Sequence, residues 1–413
     1  MRNVFNALFG APEKPYTGEV NRLDLPLFSR PRRPRPAASG KPLERVVMVT
    51  TILASAEVIC RWLWANQRST GVAEFMLFIE NPEVIPAVEA YAAAHLPAVK
   101  LQIFPADAAW YANQPERYPA EVRALPTARQ IENLRWAKSI AAPSDWLITL
   151  DVDEVVILDP AVHRRHTGAP PLLAYLTHET AGLAEVRFRI AEFIPPSDGR
   201  LPRGHFPARP AVRTKAYYGA EPRRLSRWHL WKYKMLTQEE KEGYPIRLAL
   251  FRALAPGSHD VLGGRHLRGH SSSKSAFRGD LPTTVNMHGG IQWWIHHRAR
   301  INYPVRESKE IWLAHFDVFN LEQMQSKFAH IDAVLARGDS RSPGRVATLE
   351  GYRHHVQNGP LDDAAFFRRF ISMHPWAFQV ARLLGLARTL DLSAVVDCPE
   401  PPAEADTAYS RQH

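Results

Sequence analysis

The chain predicts an α/β fold: a Rossmann-like mixed sheet flanked by helices, with a C-terminal helical extension. Three observations carry this. Apolar, β-rich runs RVVMVTTI (45–52), EFMLFIEN (74–81) and VKLQIF (99–104) alternate with helical stretches, which reads as βαβαβ. A fourth apolar run, Trp146 to Leu150, ends in the acids Asp151, Asp153 and Glu154, at the strand end where open α/β sheets place ligands. The block LDDAAFFRRFISMHPWAFQVARLLGLARTL (361–390) has the spacing of one or two basic amphipathic helices.

With 413 residues the chain exceeds the usual single-domain size. A hydrophobic content of 45% with 11 Trp, 18 Phe and 12 Tyr suits a globular core, and 34 Pro imply long irregular connections. The expected organisation is a basic Pro/Arg arm over 1–44, a catalytic-type α/β domain over 45–345, a helical extension over 346–396 and a disordered acidic tail over 397–413. The formal charge of +10 suits anionic partners. Because no nucleic-acid motif is present, no specific nucleic acid is expected. Cys60 and Cys398 lie far apart in sequence, so no structural disulfide and no oxidising compartment is expected. No 18-residue apolar run occurs, which predicts a cytoplasmic protein with, at most, peripheral contact at the inner face of a membrane.

Taken in order, the first strand precedes a helix from Ala56 to Gln67 whose Ile59, Trp62, Leu63 and Asn66 share a face. Gly71 marks the turn into the second strand, and Pro82 suits the first turn of a helix over 82–97. The Trp-, Tyr- and Pro-rich stretch from Pro105 to Thr127 reads as a surface connection. ARQIENLRWAKSIAA (128–142) returns to helical spacing, with Gln130 and Asn133 on one face and Leu134 and Ala137 on a buried stripe.

Packing gives no reason to gather Asp151, Asp153 and Glu154 at one strand end. Hard divalent ions take carboxylate oxygens and leave positions open for water and phosphate, so the cluster suits a diphosphate–metal platform for Mn²⁺ or Mg²⁺. The strand also resembles the nucleophile strand of haloacid-dehalogenase-type phosphatases, although that motif normally opens its domain.

Beyond the acids, LLAYLTHE (172–179) reads as helix and LAEVRFRIAEFI (183–194) as a strand with Glu192 near its end. RWHLWKYKML (227–236) is an aromatic strand candidate. RHLRGHSSSKSAFRGD (265–280) reads as an anion-cradling loop in which Lys274 and Arg278 accompany three serines. Apolar WLAHF ends near His315, and a helix over 321–336 is capped by Asn320.

Four segments in order resemble glycosyltransferases of the GT-A fold, in the family 2-like and family 92-like group: VTTILASAEVICRWLWANQRSTGVAEFMLFIEN, RQIENLRWAKSIAAPSDWLITLDVDE, the SSSKSAFR stretch and LAHFDVFNLEQMQSKF. Where that group carries Lys-Asn-Glu after the first strand, this chain reads Leu53-Ala54-Ser55. The resemblance implies metal-assisted transfer of a sugar from a nucleotide-diphosphate sugar to a glycan, lipid-linked or other hydroxyl acceptor, as in polysaccharide biosynthesis. It implies Asp151, Asp153 and His315 as metal or diphosphate contacts, and Gln130, Asn133, Lys274 and Arg278 as donor contacts. Glu154 and Glu192 are the candidates for the acceptor base. The competing expectation is a degenerate transferase core acting as a basic anion- or membrane-surface-binding protein.

Overall fold

The protein is represented by a computed structural model that describes residues 44–113, 126–195, 205–210, 249–256, 274–280, 305–316, 318, 320–336, 349–391, 393 and 397–400. The arm up to 43, the aromatic strand candidate over 227–236, Ser271 to Ser273 and the tail from 401 lie outside the described residues.

Ten strands form one mixed sheet: β1 (Val46–Ile52), β2 (Glu74–Ile79), β3 (Lys100–Pro105), β4 (Trp146–Thr149), β5 (Glu154–Leu158), β6 (Glu185–Phe193), β7 (His205–Pro210), β8 (Ser275–Arg278), β9 (Val305–His315) and β10 (Arg388–Asp391). The main path runs β10-β7-β6-β8-β4-β1-β2-β3, and β9 branches from β6 to pair with β5. β4, β1, β2 and β3 are parallel; β8 runs antiparallel to β4 and closes that half. All these parallel strands therefore deliver their carboxyl ends to one side, and Asp151 lies just past the end of β4.

Helix α1 (Ala56–Thr70) buries Ile59, Trp62, Leu63 and Asn66, the face read from sequence. Ser55 caps its start by accepting the Val58 N–H at 3.4 Å. Gly71 ends it at φ 70°, and a Cβ there would sit 2.8 Å from Pro171 Cδ, so both backbone conformation and close approach require glycine. Two further helices follow, α2 (Ile85–His95) and the short α3 (Ala108–Ala112). The opposite sheet face is covered by α4 (Pro126–Ile140), where Leu134 and Ala137 pack with Val47, Val49, Phe78 and Leu147.

The described start of the expected surface connection, residues 105–113, departs from that expectation, while residues 114–125 lie outside the described residues. Trp110 on α3 packs against Phe78, Phe104 and Trp136 with ring centres 5.5–5.7 Å apart. Trp110 packs beside α4 because Phe78 of β2 and Phe104 of β3 stack side by side on that face and, with Trp136 of α4, form an aromatic cluster for it to join.

Helix α1 also solves a hydrogen-bonding problem. β5 pairs with β9 along one edge, which leaves the other edge with unpaired backbone groups. Asn66 accepts the Val156 N–H at 3.0 Å and donates to the Glu154 carbonyl at 3.3 Å, while Ser69 donates to the Val156 carbonyl at 2.6 Å. A polar residue in the buried stripe of a helix thus replaces a missing strand.

The C-terminal segment does more than cover the sheet. Helix α5 (Pro160–Arg165), the short α6 (Pro171–Ala174) and α7 (Leu321–Ala336) precede it; α8 (Asp363–Phe366) and α9 (Pro375–Leu383) then lead into β10, which pairs antiparallel with β7. Residues 388–391, expected as helix, are therefore an edge strand. Met373, Ala377, Phe378 and Ala381 form a small separate core with Phe251 of a helix over 249–254. The expected tail is also anchored at its start: Cys398 Sγ lies 3.1 Å from the Tyr91 hydroxyl on α2. Both cysteines are free, and burial pushes the Cys60 thiol up to about 12. Among the described residues no helix is long and apolar enough to cross a membrane.

Candidate active site

The carboxyl end of β4 folds into a tight turn, Asp151 to Glu154, that redirects the chain into β5. The turn is closed by Glu154 N–H donating to the Asp151 carbonyl at 3.0 Å, and by the Glu154 carboxylate accepting the Asp151 N–H at 2.8 Å. From α1, Trp62 Nε1 donates to the carbonyls of Asp151 at 3.1 Å and Glu154 at 2.9 Å. The acids are thus mounted on backbone fixed from three directions. Trp62 and Asn66 were read from sequence as core-face residues; their hold on this turn has no local sequence signature.

The three acids have different surroundings. Asp151 is held through both oxygens, by Gln130 Nε2 at 2.8 Å and by Lys274 Nζ at 3.0 Å. Glu154 is buried at 2% exposure, with Lys274 Nζ at 3.5 Å. Asp153 reaches outward with its side chain 41% exposed, and His315 Nε2 lies 3.3 Å from its carboxylate. Burial raises the Glu154 carboxyl above its ordinary range; the Lys274 ammonium opposes that shift, and Asp151 and Asp153 add to it. For Lys274 burial alone lowers the ammonium, but Asp151 and Glu154 together hold it above its ordinary value. One cation thus serves two carboxylates, which keeps Lys274 charged, while burial still favours the neutral form of Glu154.

From Lys274 onward the chain differs from the expected loop. Ser275–Arg278 is strand β8, antiparallel to β4, with Ile148 opposite Ala276. Two residues beyond that pair the register brings Lys274, 1% exposed, to the acidic turn. The same strand carries Arg278 in the opposite direction, opposite Trp146 and roughly 13 Å along the strand from Lys274. There it pairs with Glu44 at 2.8 Å and lies over the Trp146 ring. Arg278, expected to contact the diphosphate, is thus at the amino end of β4 and away from the acids.

Gln130 and Asn133, both on α4, separate as well. Gln130 orients Asp151, whereas Asn133 is buried in a network, donating to Thr51 Oγ1 at 3.0 Å and the Tyr111 hydroxyl at 2.9 Å and accepting from Trp110 Nε1 at 3.0 Å. Beside it Arg129 grips Glu80 with two hydrogen bonds of 2.6 and 3.0 Å, and Tyr111 donates to the same carboxylate at 3.1 Å. This Glu80–Arg129–Tyr111 cluster sits at the carboxyl ends of β1 and β2 and was not singled out by sequence reasoning. Its components lie 31 and 49 positions from Glu80, beyond any local motif. At the position of Lys-Asn-Glu, Ser55 is the helix cap and Leu53 is 53% exposed.

The strand register sets Glu154 and Glu192 on either side of His315: β5 pairs Glu154 with His315, and β6 pairs Glu192 with it. Glu154 is committed to the turn. Among the described residues, no group of three or more His, Cys, Asp and Glu stands ready to hold a metal. The pair Asp153 and His315 nevertheless suits a hard or borderline ion. Adjacent ligands of an octahedral ion with bonds of about 2.1 Å sit roughly 3.0 Å apart, close to the 3.3 Å between these two side chains.

No family model and no curated protein matches the chain. One solved structure to which it is similar is glucosyl-3-phosphoglycerate synthase from Mycobacterium tuberculosis in complex with phosphoglyceric acid. The identity is 15%, the match covers 72% of this chain and 82% of that one, and the TM-score is 0.28. A superposition that loose carries no argument about what this chain does.

Proposed function

We propose that the chain is a glycosyltransferase that moves a sugar from a nucleotide-diphosphate sugar to a hydroxyl acceptor, a glycan or a lipid-linked one. The observation that carries this reading is the split of the acidic turn. Asp151 and Glu154 share the buried Lys274 ammonium, while Asp153 is exposed to solvent beside His315 at the carboxyl end of a parallel strand. A phosphatase of the haloacid-dehalogenase type is favoured less. Its nucleophile would be Asp151, whose two oxygens are both engaged, and the strand bearing it has the antiparallel β8 as neighbour.

In the proposed reaction the bond between the anomeric carbon and the diphosphate oxygen breaks, and a bond to the acceptor oxygen forms. The acceptor proton passes to a base and the diphosphate leaves with the electron pair. Asp153 and His315 would hold a Mn²⁺ or Mg²⁺ ion, which when bound supplies Lewis-acid stabilisation of charge on the departing phosphate. Gln130 and Lys274 hold Asp151 still, so that the turn presents Asp153 in one orientation. Lys274 also places a positive charge beneath the site, where charge grows on the leaving group. Glu192, next to His315 in register, is the remaining candidate for the base, because Glu154 is buried and occupied.

The reading is tested by a thermal-shift panel of nucleoside diphosphates with and without Mn²⁺. Site occupancy raises stability by RT ln(1 + [L]/Kd). A Mn²⁺-dependent shift with at least one nucleotide is expected, and its disappearance in Asp153→Ala would tie it to this turn. No shift with any nucleotide would reject the donor class.

A further inference from the structure

The opposite face of β9 carries a different grouping. Trp312, only 6% exposed, has the Arg388 guanidinium 3.8 Å and the Arg189 guanidinium 5.4 Å from its ring centre. Arg189 is the in-register neighbour of Trp312 on β6, and Arg388 comes from the edge strand β10. Two like charges therefore converge on one indole. Trp312 and His315 are three residues apart on one strand, so this grouping lies on the face away from the acidic turn.

Among the described residues the balancing acids are few and already used. Glu307 Oε1 is 3.5 Å from Arg189 Nε, an ion contact without a hydrogen bond. Asp159 is the acid that acts on Arg388, but its carboxylate caps α5 by accepting the Ala161 N–H at 2.9 Å. Among the described residues the Nε of both arginines is buried without a hydrogen-bond partner. A half-buried guanidinium is ordinarily paired, since its desolvation is costly and a neighbouring cation adds to the cost. Arg388 has neither a hydrogen bond nor an ion pair with a carboxylate among the described residues.

We propose that Arg189 and Arg388 form a binding site for a phosphoryl group, separate from the candidate active site. Each guanidinium offers a planar fork of N–H donors that matches the oxygens of a phosphate, and one doubly charged anion between two forks removes the repulsion between them. Trp312 is the floor that fixes Arg388, so little side-chain freedom is lost on binding. The phosphoryl group can belong to a free phosphorylated small molecule or to the headgroup of an acidic lipid, and the two share this chemistry.

The test uses the full chain in EDTA, where the carboxylates of the acidic turn repel phosphate and contribute no competing site. Inorganic phosphate is titrated against chloride at matched ionic strength, with melting temperature and calorimetry as readouts. A saturable stabilisation by phosphate is expected, weakened about tenfold or more in Arg388→Gln and in Arg189→Gln, the loss of one charge-assisted contact. Vesicles of phosphatidic acid, compared with phosphatidylcholine, assign the source: binding that both variants abolish indicates a headgroup, and phosphate binding without vesicle binding indicates a soluble ligand. If Arg388 only covers Trp312, Arg388→Gln loses stability equally in chloride and in phosphate, and the proposal fails. It fails too if wild type shows no saturable response, or if both variants respond to phosphate as wild type does.

Discussion

Replacing Lys274 by methionine keeps most of its volume and removes its charge, leaving Asp151 and Glu154 beside each other with no cation between them. The ammonium lies 3.0 Å from one carboxylate and 3.5 Å from the other. At an effective dielectric of about 20, each attraction is worth about 5 kcal/mol before desolvation is subtracted. Removing one member of a buried pair leaves an uncompensated charge, with a typical cost of about 3–5 kcal/mol, and that is the loss expected at neutral pH. The cost depends on pH. A carboxyl whose folded pKa is raised contributes stability below its unfolded pKa and loses it as pH climbs through the raised value. Burial already raises Glu154, and losing Lys274 removes the influence that opposes this. In wild type the Lys274 contribution stays intact up to its unfolded pKa and fades only above it, because its folded pKa is the higher one. The deficit of Lys274→Met should therefore be smallest near pH 5 and grow towards pH 9. Urea unfolding followed by circular dichroism at pH 5, 7 and 9 measures it. A loss below about 1 kcal/mol, or one equal at all three pH values, would refute the buried-pair argument.

Three other substitutions probe the same region. Asp153→Ala removes a half-exposed carboxylate, so stability should change by no more than about 0.5 kcal/mol while the Mn²⁺-dependent nucleotide shift disappears; a retained shift would move the ion elsewhere. Asn66→Leu leaves the Val156 N–H and the Glu154 carbonyl without that partner, at about 1–3 kcal/mol each, and a denaturation midpoint equal to wild type would mean the β5 edge finds other partners. Glu154→Gln keeps an oxygen to accept the Asp151 N–H and removes the titrating carboxyl, so the variant should gain on wild type as pH rises from 5 to 9. A difference that stays flat with pH would show that Glu154 does not titrate in this range.

What sequence revealed follows the range of each interaction. The βαβαβ opening and the face of α1 are set by period and composition within a dozen residues, and the structure has them where the pattern places them. The acidic turn was legible because its three carboxylates are adjacent in the chain. The partition among them was not: Lys274 comes from 123 positions away and Trp62 from 89. Lys274 and Arg278 illustrate the failure most directly. Four apart in sequence, they read as members of one basic loop, but an extended strand pulls them roughly 13 Å apart and gives them different partners. Residues 388–391 failed for a similar reason, since the free edge of β7 that they complete cannot be seen in their own spacing.

The burial of Lys274 also changes what the acidic turn offers a ligand. As a solvated loop lysine it would act on a phosphate directly, and its removal would alter rate without altering stability. Beneath the turn it instead offsets part of the charge of Asp151 and Glu154, so that Asp153, next to the imidazole of His315, is the acid without a lysine partner and the most exposed of the three. Three carboxylates without Lys274 would repel a diphosphate and each other. With it, the turn sets one carboxylate beside one imidazole, and under the proposed reading Asp153 and His315 would hold a divalent ion that would draw a donor diphosphate to this side of the sheet. The lysine's influence on chemistry therefore runs through the shape and charge of the turn. In Lys274→Met any loss of nucleotide affinity should track the pH-dependent loss of stability, whereas a lysine that touched the phosphate would lower affinity even at pH 5, where the variant is most nearly folded like wild type.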